Sequence, residues 1–536
     1  MAGESEGVRD GAAAAGQPWG RDDSTIGALL ARSAREDGAR IYCRAGDRAV
    51  TVAELDRMAD RIANGLAAAG IRSGDRVAVM LNTSVENMAL FFALARLGAL
   101  HVPVNVHLRG EGLVYLLANA DCACAIVEEA LRDAAAPALA AAGIGTVYWN
   151  GAPEGAEGLN LTRLTGHGDD RPFPSAVAPD DVIYISYTSG TTGMPKGVLL
   201  TDRMLRVAAH AAARAGGVGD GDIFHMWEPL YHIGGCEVLI VAVQHRITLG
   251  LVPKFSVSRF WDEVRALGAT HIHFLGGVLA LLLKEPPGPR DRDHGVRVAW
   301  GGGCPEPVWR AFQERFGVAI RECYGLTECA SFATLNLTGK IGSVGRPLPH
   351  FEITLVDDDG KPAGPGQRGE IWIRERVPGI LTPGYWRNPE ATAAVLVDGV
   401  LRTGDLAVAD AEGDLVYLGR KKDSLRRRGE NIAAFEVERI LNQHPDVEES
   451  AVVGVVNDLQ DEDIKAFLRL RPGAALDPLD LIRWCEGRMA YFQIPRFVAF
   501  IDAFPKTPSL RIRKELLSRD ADGCWDLAKT DHVIRR

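Results

Sequence analysis

One short segment of the sequence concentrates groups that could bind a polyphosphate. Residues 188–197 read TSGTTGMPKG, so four hydroxyls, three glycines and one lysine directly follow an apolar run at Val182–Tyr187. Glycines let the backbone turn tightly and direct its N–H groups into a concave site, where hydroxyls and an ammonium add further donors. The spacing is not that of a Walker A loop. A surface loop rich in glycine and threonine is the alternative, but so many specified positions favour phosphate binding.

Further motifs follow this loop along the chain, and together they resemble one enzyme family. They are PLYH at 229–232, GGGCP at 301–305, YGLTE at 324–328, RTGD at 402–405, GRKKD at 419–423 and RGEN at 428–431, with Glu436 beyond them. With Tyr187–Gly197 they resemble, in the same order, the adenylate-forming superfamily of acyl- and aryl-CoA synthetases, peptide-synthetase adenylation domains and luciferases. The last block is most similar to the carnitine- and crotonobetaine-CoA ligase-like branch. The resemblance spans nearly the whole chain and implies an AMP-forming ligase.

The resemblance implies how the phosphates of ATP would be held. The backbone and hydroxyls of the loop, with Lys196, would bind the β- and γ-phosphates, and Thr327 would donate to the α-phosphate. Glu328 would help to hold Mg²⁺, a hard cation that prefers carboxylate oxygen. Lys196, Thr327 and Glu328 are therefore predicted to act in catalysis. An exposed carboxylate at the start of a helix is the alternative for Glu328.

The nucleoside end of ATP is assigned in the same way. Tyr324 would stack on the adenine, and Asp405 and Arg420 would hold the ribose hydroxyls; an ordinary turn residue is the alternative for Asp405. The full set predicted to bind ATP is Thr188, Ser189, Gly190, Thr191, Thr192, Gly193, Gly302, Gly303, Cys323, Tyr324, Gly325, Thr327, Asp405 and Arg420.

A basic run lies where the resemblance places the hinge to a C-terminal domain. Six of the nine residues at 420–428 are lysine or arginine, a density also typical of nuclear signals and nucleic-acid patches. The family resemblance explains the run better: Lys422 would sit at the hinge, and Gly429, Glu430 and Asn431 would form a loop beside the pantetheine of CoA after domain rotation. CoA is accordingly the expected co-substrate.

The sequence departs from the family near its C-terminus. The family pattern Pro-x-Thr-x-x-Gly-Lys bears a lysine that bridges the acyl carboxylate and the phosphate. Here the segment from Pro505 has Leu510 in place of the glycine and Arg511 in place of the lysine. A planar guanidinium is not equivalent to a compact ammonium at a tight site. Three hypotheses follow: Arg511 does the work of the lysine, Lys506 or Lys514 substitutes from a shifted position, or adenylation is weak.

The sequence identifies the lining of the substrate pocket only in part. By resemblance its lining includes His232, Cys236, Glu237, Trp300 and Cys304, in segments that also contain Trp227, Glu228, His271 and His273. So many polar groups argue against a plain long-chain fatty acid, whose tunnel would be apolar. Glu228 and Glu237 could equally face solvent, and a lone histidine such as His232 is often only a hydrogen-bonded core residue. A small, polar or aromatic acid is expected.

Three functions are compatible with these motifs. The first is an acid–CoA ligase that makes an acyl-adenylate from ATP, releases pyrophosphate and passes the acyl group to the CoA thiol. The second is a diazotase-type enzyme that activates nitrite as a nitrosyl-adenylate for an arylamine. The third is a nucleotide-binding protein with weak catalysis because of Arg511. The first is the predicted function, with Arg511 doing the work of the family lysine, because the nucleotide motifs are otherwise intact.

The elements that must position these motifs follow a β-α-β rhythm. Apolar strands alternate with helical stretches from Arg76 to Tyr324, which predicts parallel sheets with covering helices. Short β-rich runs at Glu352–Asp357, Gly369–Arg374 and Gly413–Leu418 then predict a small barrel. We therefore expect an α/β protein with a tail at 1–24, a core of two parallel-type subdomains at 25–339, a barrel at 340–419 and a mobile α+β lid at 420–536.

Composition limits the classes of protein that remain. The 536 residues are 47% hydrophobic and 24% charged, which is enough for a large core, and the net charge of −10 argues against nucleic acid as the main partner. Nine cysteines without a CxxC pair indicate reduced thiols rather than a disulfide framework. No secretory signal or membrane span is evident. We expect a cytoplasmic monomer or homodimer that binds small molecules and neither nucleic acid nor a membrane.

Overall fold

The computed structural model describes residues 24–153, 158–188, 194–427, 430–456, 462–486, 488–507 and 511–534. The predicted tail therefore lies, except for residue 24, outside the described residues. The helices are α1 (Ile26–Asp37), α2 (Val52–Ala68), α3 (Val85–Leu97), α4 (Gly110–Ala120), α5 (Arg132–Ala141), α6 (Thr162–Thr165), α7 (Asp202–Gly216), α8 (Ile233–Gln244), α9 (Phe260–Leu267), α10 (Val278–Leu283), α11 (Glu306–Phe316), α12 (Pro389–Val395), α13 (Ala434–Leu441) and α14 (Pro478–Cys485).

The strands fall into a larger first group and a smaller second group. The first group is β1 (Ile41–Ala45), β2 (Arg48–Thr51), β3 (Arg76–Met80), β4 (Leu100–Pro103), β5 (Cys124–Glu128), β6 (Val147–Asn150), β7 (Leu159–Asn160), β8 (Val182–Thr188), β9 (Lys196–Thr201), β10 (Ile223–Met226), β11 (Thr248–Leu251), β12 (His271–Leu275), β13 (Val298–Gly302), β14 (Ala319–Tyr324), β15 (Thr334–Leu335) and β16 (Arg346–Pro347). The second group is β17 (Phe351–Val356), β18 (Arg368–Glu375), β19 (Leu396–Val397), β20 (Val400–Ala409), β21 (Leu415–Arg420), β22 (Ser424–Arg427), β23 (Glu430–Ala433), β24 (Val447–Val456), β25 (Glu462–Leu470), β26 (Phe497–Phe500) and β27 (Trp525–Asp526).

Two large sheets form the body of the protein. One has the order β16-β15-β14-β13-β12-β10-β11-β1-β2 and the other β7-β6-β5-β3-β4-β8-β9. Their central pairs are parallel, and antiparallel pairs occur only toward the edges. The central strands β3, β4, β12 and β13 are buried along nearly their whole length, as expected for strands covered on both faces. This confirms the predicted α/β class with parallel-type subdomains.

Helix α3 shows how sequence signals place an element in the core. Ser84 caps its first turn by accepting from the Asn87 N–H, and Gly98 ends it in the left-handed conformation. Twelve of its thirteen residues are buried, and ten of them belong to the largest hydrophobic cluster, which also includes residues of both sheets. The buried Arg96 is neutralised by ion pairs with Asp56 and Asp60 on α2.

The third sheet is antiparallel, with the order β17-β18-β20-β19 and with β21 paired to β20. Three of these strands were predicted from the sequence, whereas β19 and β20 were not, and β20 carries the RTGD motif. Alternation of buried and half-buried residues along β20 is typical of a sheet with one covered face. Asp405 therefore lies on a strand, and its interpretation as an ordinary turn residue was wrong.

The C-terminal region contains the sheet β24-β25-β26-β27, the hairpin β22-β23 and helices α13 and α14. It begins directly after β21, at the short helical turn Lys421–Asp423. The region contacts the body through an ion pair between Lys284 and Glu448, and Glu448 also pairs with Arg469 at 2.7 Å. The ring of Phe435 lies 6.0 Å from that of Tyr417.

All nine cysteines are free thiols, as predicted. None of the helices in the described ranges combines the length and the apolarity that crossing a bilayer requires.

Candidate active site

The predicted phosphate loop connects two strands at the edge of the second sheet. Thr188, the last residue of β8, pairs with Lys196, the first residue of β9. Ser189, Gly190, Thr191, Thr192 and Gly193 lie outside the described residues. The Lys196 ammonium lies 5.2 Å from the centre of the Tyr385 ring, close enough for a cation–π contact.

Tyr385 connects Lys196 to Glu328. Its hydroxyl donates to Glu328 Oε1 at 2.8 Å, and the Thr382 N–H donates to the Glu328 carbonyl at 2.8 Å. Glu328 is 9% exposed, so it is not the exposed helix-start carboxylate of the alternative interpretation. Sequence analysis missed Tyr385, although the run 384–389, GYWRNP, was an available turn signal.

A second group of polar side chains surrounds Asp405, which is 1% exposed. Its carboxylate accepts from the Tyr324 hydroxyl at 2.8 Å and the Tyr417 hydroxyl at 3.3 Å. Arg420 lies opposite Asp405 in the β20–β21 register, with its Nε 2.6 Å from Oδ1. Burial raises the pKa of Asp405, and the Arg420 charge opposes this. The two residues predicted to hold the ribose hydroxyls thus lie side by side.

The two groups belong to one site. The Arg420 charge acts on Asp405 and also lowers the pKa of Tyr385, which burial otherwise raises. The carboxylate of Glu328 in turn acts on Arg420, favouring its charged form. Cationic and anionic groups aimed at a shared region are suited to a nucleotide phosphate and its counter-ion.

The glycine-rich turn after β13 is held by a buried carboxylate that sequence analysis missed. The N–H groups of Gly303 and Cys304 donate to Glu322 Oε1 at 2.5 and 3.1 Å. Burial raises the pKa of Glu322 to about 8, although these hydrogen bonds favour the charged form. At Gly301 a Cβ would lie 1.9 Å from the Phe274 carbonyl oxygen, so only glycine fits there.

The neighbouring predicted residues lie at the ends of β13 and β14. Gly302 approaches the Cys323 carbonyl, where a Cβ would be 3.2 Å away, and the Cys323 thiol lies 2.9 Å from the Gly301 carbonyl. Gly325 follows Tyr324 and passes so close to Ser331 that a Cβ would be 2.0 Å from its carbonyl oxygen. Thr327 then opens the short helical turn Thr327–Cys329.

The structure brings only some of the residues predicted to line the substrate pocket close to one another. Trp300 packs against His273 with ring centres 4.2 Å apart, and Glu237 is buried nearby on α8. His232 immediately precedes α8, and burial lowers its pKa to about 4, so it is neutral at neutral pH. Glu228 and Glu237 are both buried, so the alternative that they face solvent was wrong.

Three other polar residues of the pocket segments have core partners. The Cys236 thiol contacts the Tyr184 hydroxyl at 2.8 Å and the Leu230 carbonyl, between α8 and the second sheet. Cys304 belongs with Glu322 in the turn. His271, at the start of β12, bonds with Thr270 and the Gly216 carbonyl and is a satisfied core histidine.

Arg511 lies on the nucleotide side of the structure. Residues Thr507 and Arg511 close a turn through a 2.7 Å backbone hydrogen bond. Burial raises the pKa of both Asp405 and Tyr417, and the Arg511 charge opposes this, so Arg511 lies within electrostatic reach of the Asp405 group. Lys506 and Lys514 instead pair with Glu449 at 2.8 Å and Glu438 at 2.6 Å.

Much of the basic run has partners within the fold. Lys421 pairs with Glu370 at 3.1 Å, and the buried Arg427 donates to the carbonyls of Phe492 and Ile494. Lys422, at the predicted hinge, is exposed in the turn after β21. Of the predicted CoA-side loop, Gly429 lies outside the described residues, and the backbone of Glu430 and Asn431 belongs to β23.

The site fits Mg²⁺ only with help from a ligand. In the described parts of the chain there is no group of three or more potential metal ligands. Glu328 supplies one carboxylate, with Oε1 engaged by Tyr385. Magnesium commonly takes one or two carboxylates together with substrate phosphates, so Glu328 is suited to this role when ATP is present.

The chain is similar to several known proteins. Residues 30–386 match the family described as AMP-binding enzyme, and residues 436–511 match its C-terminal domain. A crotonobetaine/carnitine–CoA ligase of Salmonella paratyphi B is 32% identical over 497 residues, with 89% of this chain and 94% of that protein covered. The anthranilate CoA ligase AuaEII in complex with anthranoyl-AMP has a TM-score of 0.84 at 25% identity, covering 93% and 96% of the two chains. ATP-bound MatB from Rhodopseudomonas palustris has a TM-score of 0.84 at 28% identity, covering 92% and 98%.

Proposed function

The chain belongs to the AMP-binding enzyme family and is an AMP-forming ligase of the CoA-ligase type, and on that premise we propose that it activates a small or aromatic carboxylic acid and transfers it to CoA. The observation that carries the proposal is the convergence of Lys196, Tyr385 and Glu328 with the Asp405–Arg420 pair in one site. Two of the relatives named above are CoA ligases by name, which supports this function over the diazotising and weakly catalytic alternatives.

The first half-reaction joins the acid to AMP. An oxygen of the substrate carboxylate attacks the α-phosphorus of ATP, and the bond to the departing pyrophosphate breaks. The protein's part is to hold the reactants in line and to stabilise the negative charge spread over the phosphates. Lys196 supplies positive charge on the phosphate side, and Asp405 with Arg420 holds the ribose. Glu328 would hold Mg²⁺, whose chemistry is to offset the phosphate charge.

The second half-reaction transfers the acyl group. The sulfur of CoA attacks the carbonyl carbon of the adenylate, the bond to AMP breaks, and the thiol proton is released. The exposed turn at Lys422 lies between the third sheet and the C-terminal region, where a rotation would exchange the surfaces facing the site. Residues 429–431 would then approach the pantetheine.

Arg511 is the cation proposed to take the place of the family lysine. It lies near Asp405, whereas Lys506 and Lys514 are bound to glutamates of the C-terminal region. An arginine-to-lysine exchange changes hydrogen-bond geometry but not charge, so Arg511→Lys should change the adenylation rate several-fold. Lys506→Arg is the matched control and should leave the rate unchanged. An unchanged adenylation rate in Arg511→Lys would show that Arg511 takes no part in this step.

The function is tested by ATP-dependent pyrophosphate release against aromatic, short and carnitine-like acids, with and without CoA. The same panel includes nitrite with an aminoaryl acid. A CoA-dependent thioester with any of the acids is the expected result. Release that requires nitrite and the amine, and not an acid with CoA, would overturn the ligase function. Tight ATP binding without turnover of any acid would also overturn the ligase function, and it would favour the weakly catalytic alternative.

A further inference from the structure

Helix α8 presents a buried carboxylate that has little to neutralise it. Glu237 is 1% exposed, and its Oε2 has no hydrogen-bond partner among the described residues. A hydrogen bond with Ser331 favours the charged form, but burial dominates and raises the pKa of Glu237 well above its ordinary range. Leaving a buried carboxyl oxygen unpaired is costly. A ligand that supplies the missing partner would remove this cost.

A second buried carboxylate lies close enough to add to this charge. Glu228 is 0% exposed; its Oε1 contacts His273 Nδ1, and its Oε2 has no hydrogen-bond partner among the described residues. Its charge further raises the pKa of Glu237. The basic groups that face Glu228 are histidines, and burial lowers the pKa of His232 to about 4 and also lowers that of His225. Neither is a permanent cation.

Glu237 lies near residues at the ends of two elements of the candidate active site. Its charge raises the pKa of Cys323, at the end of β14, and its partner Ser331 lies three residues beyond Glu328. Gly234 lies beside Glu237, since a Cβ there would be in ordinary van der Waals contact with His273 Cε1 at 3.5 Å and with Glu237 Oε1 at 4.0 Å. The ring of Trp300 packs against that of His273, with centres 4.2 Å apart.

We propose that the acid substrate carries a protonated amino group whose N–H donates to Glu237, while its carbon skeleton packs against Trp300. The proposal rests on the ligase function and names the substrate class of that same site. A primary or secondary ammonium offers both the positive charge and the hydrogen-bond donors that the unpaired oxygens require. A quaternary ammonium offers the charge without donors, and a plain acid offers neither.

The test compares acids that differ only in this group, using pyrophosphate release and thioester formation. The aliphatic series is γ-aminobutyrate, its trimethylammonio analogue and butyrate; the aromatic pair is p-(aminomethyl)benzoate and p-toluate. The wild-type enzyme should prefer the amine in at least one series by tenfold or more in kcat/KM. Glu237→Gln should lose about tenfold with that amine, mainly through KM, and should leave the plain acid unaffected.

Two controls separate recognition from folding. Glu314→Gln removes an exposed carboxylate on α11, and it should keep the amine preference. Thermal unfolding identifies any variant that has lost its fold, and Glu237→Asp, which keeps the charge, should retain part of the preference. Equal kcat/KM for amine and plain acid in both series would overturn the proposal, as would an equal loss with both acids in folded Glu237→Gln.

Other outcomes are also decisive. A preference for the trimethylammonio acid over the amine would overturn the proposal that the substrate donates an N–H to Glu237. If no acid releases pyrophosphate, the ligase function fails, and calorimetric binding of the same acids with a non-hydrolysable ATP analogue tests the pocket separately. Binding of the amine that Glu237→Gln weakens would support the proposal even then, whereas equal binding of amine and plain acid would overturn it.

Discussion

Neutralising Glu322 should change the pH dependence of stability in a calculable way. Its pKa is raised by burial from 4.5 to about 8 in the folded protein. A carboxyl that binds its proton more tightly when folded gives its full stability below the unfolded pKa, and this stability is lost as the pH rises through the folded pKa. Between about pH 5.5 and about pH 8 the loss amounts to about 3 kcal/mol, at 1.36 kcal/mol per pKa unit. Glu322→Gln cannot titrate and keeps an acceptor for the turn, so this loss should disappear.

The assay is urea unfolding at both pH values, followed by tryptophan fluorescence, for wild type and Glu322→Gln. The variant should gain about 2 to 3 kcal/mol relative to wild type on going from the lower to the higher pH. Glu314→Gln, an exposed carboxylate on the adjacent α11, is the control and should show no such gain. A wild-type-to-variant difference that is the same at both pH values would refute the assignment of a protonated, buried Glu322.

Three further changes test the site. Asp405→Asn removes the charge opposite Arg420 and should weaken ATP binding about tenfold or more, measured by calorimetry; unchanged binding would refute the ribose assignment. Tyr385→Phe removes the hydrogen bond to Glu328 and should lower the adenylation rate up to about tenfold with the fold intact, and an unaffected rate would show that Glu328 does not need it. Gly301→Ala forces a Cβ against a carbonyl oxygen and should lower the melting temperature in thermal unfolding; an unaltered melting temperature would contradict the described turn.

The strands of the body were predictable because their apolar character is continuous and their helices carry clear caps. Ser84 and Gly98 mark both ends of α3, and Ile223–Met226 and Ala319–Tyr324 were predicted with the bounds that the structure has. β20 was missed because its interior contains Thr403-Gly404-Asp405, residues that favour turns. There the tertiary pairing with β18 and β21 outweighs local propensity.

Motif spacing located Glu328, Asp405 and Arg420, but not their partners. Tyr385 and Glu322 come from parts of the chain distant from the residues they contact, so a single sequence gives no indication of the contacts. The sequence also could not predict which way the side chains of Glu237 and Cys236 point. Adjacent residues on a helix point about 100° apart, and only packing determines which one faces the site.

The ion pair between Lys284 and Glu448 has a consequence for how firmly the C-terminal region is held. The Lys284 side chain is 46% exposed, so salt screens the pair and its contribution is about 1 kcal/mol or less. When the pair separates, Glu448 keeps Arg469, and no buried charge is left without a counter-charge. Raising the ionic strength should therefore weaken this ion pair while leaving the stability of the fold almost unchanged. The position of the C-terminal region would then depend more strongly on the bound ligands.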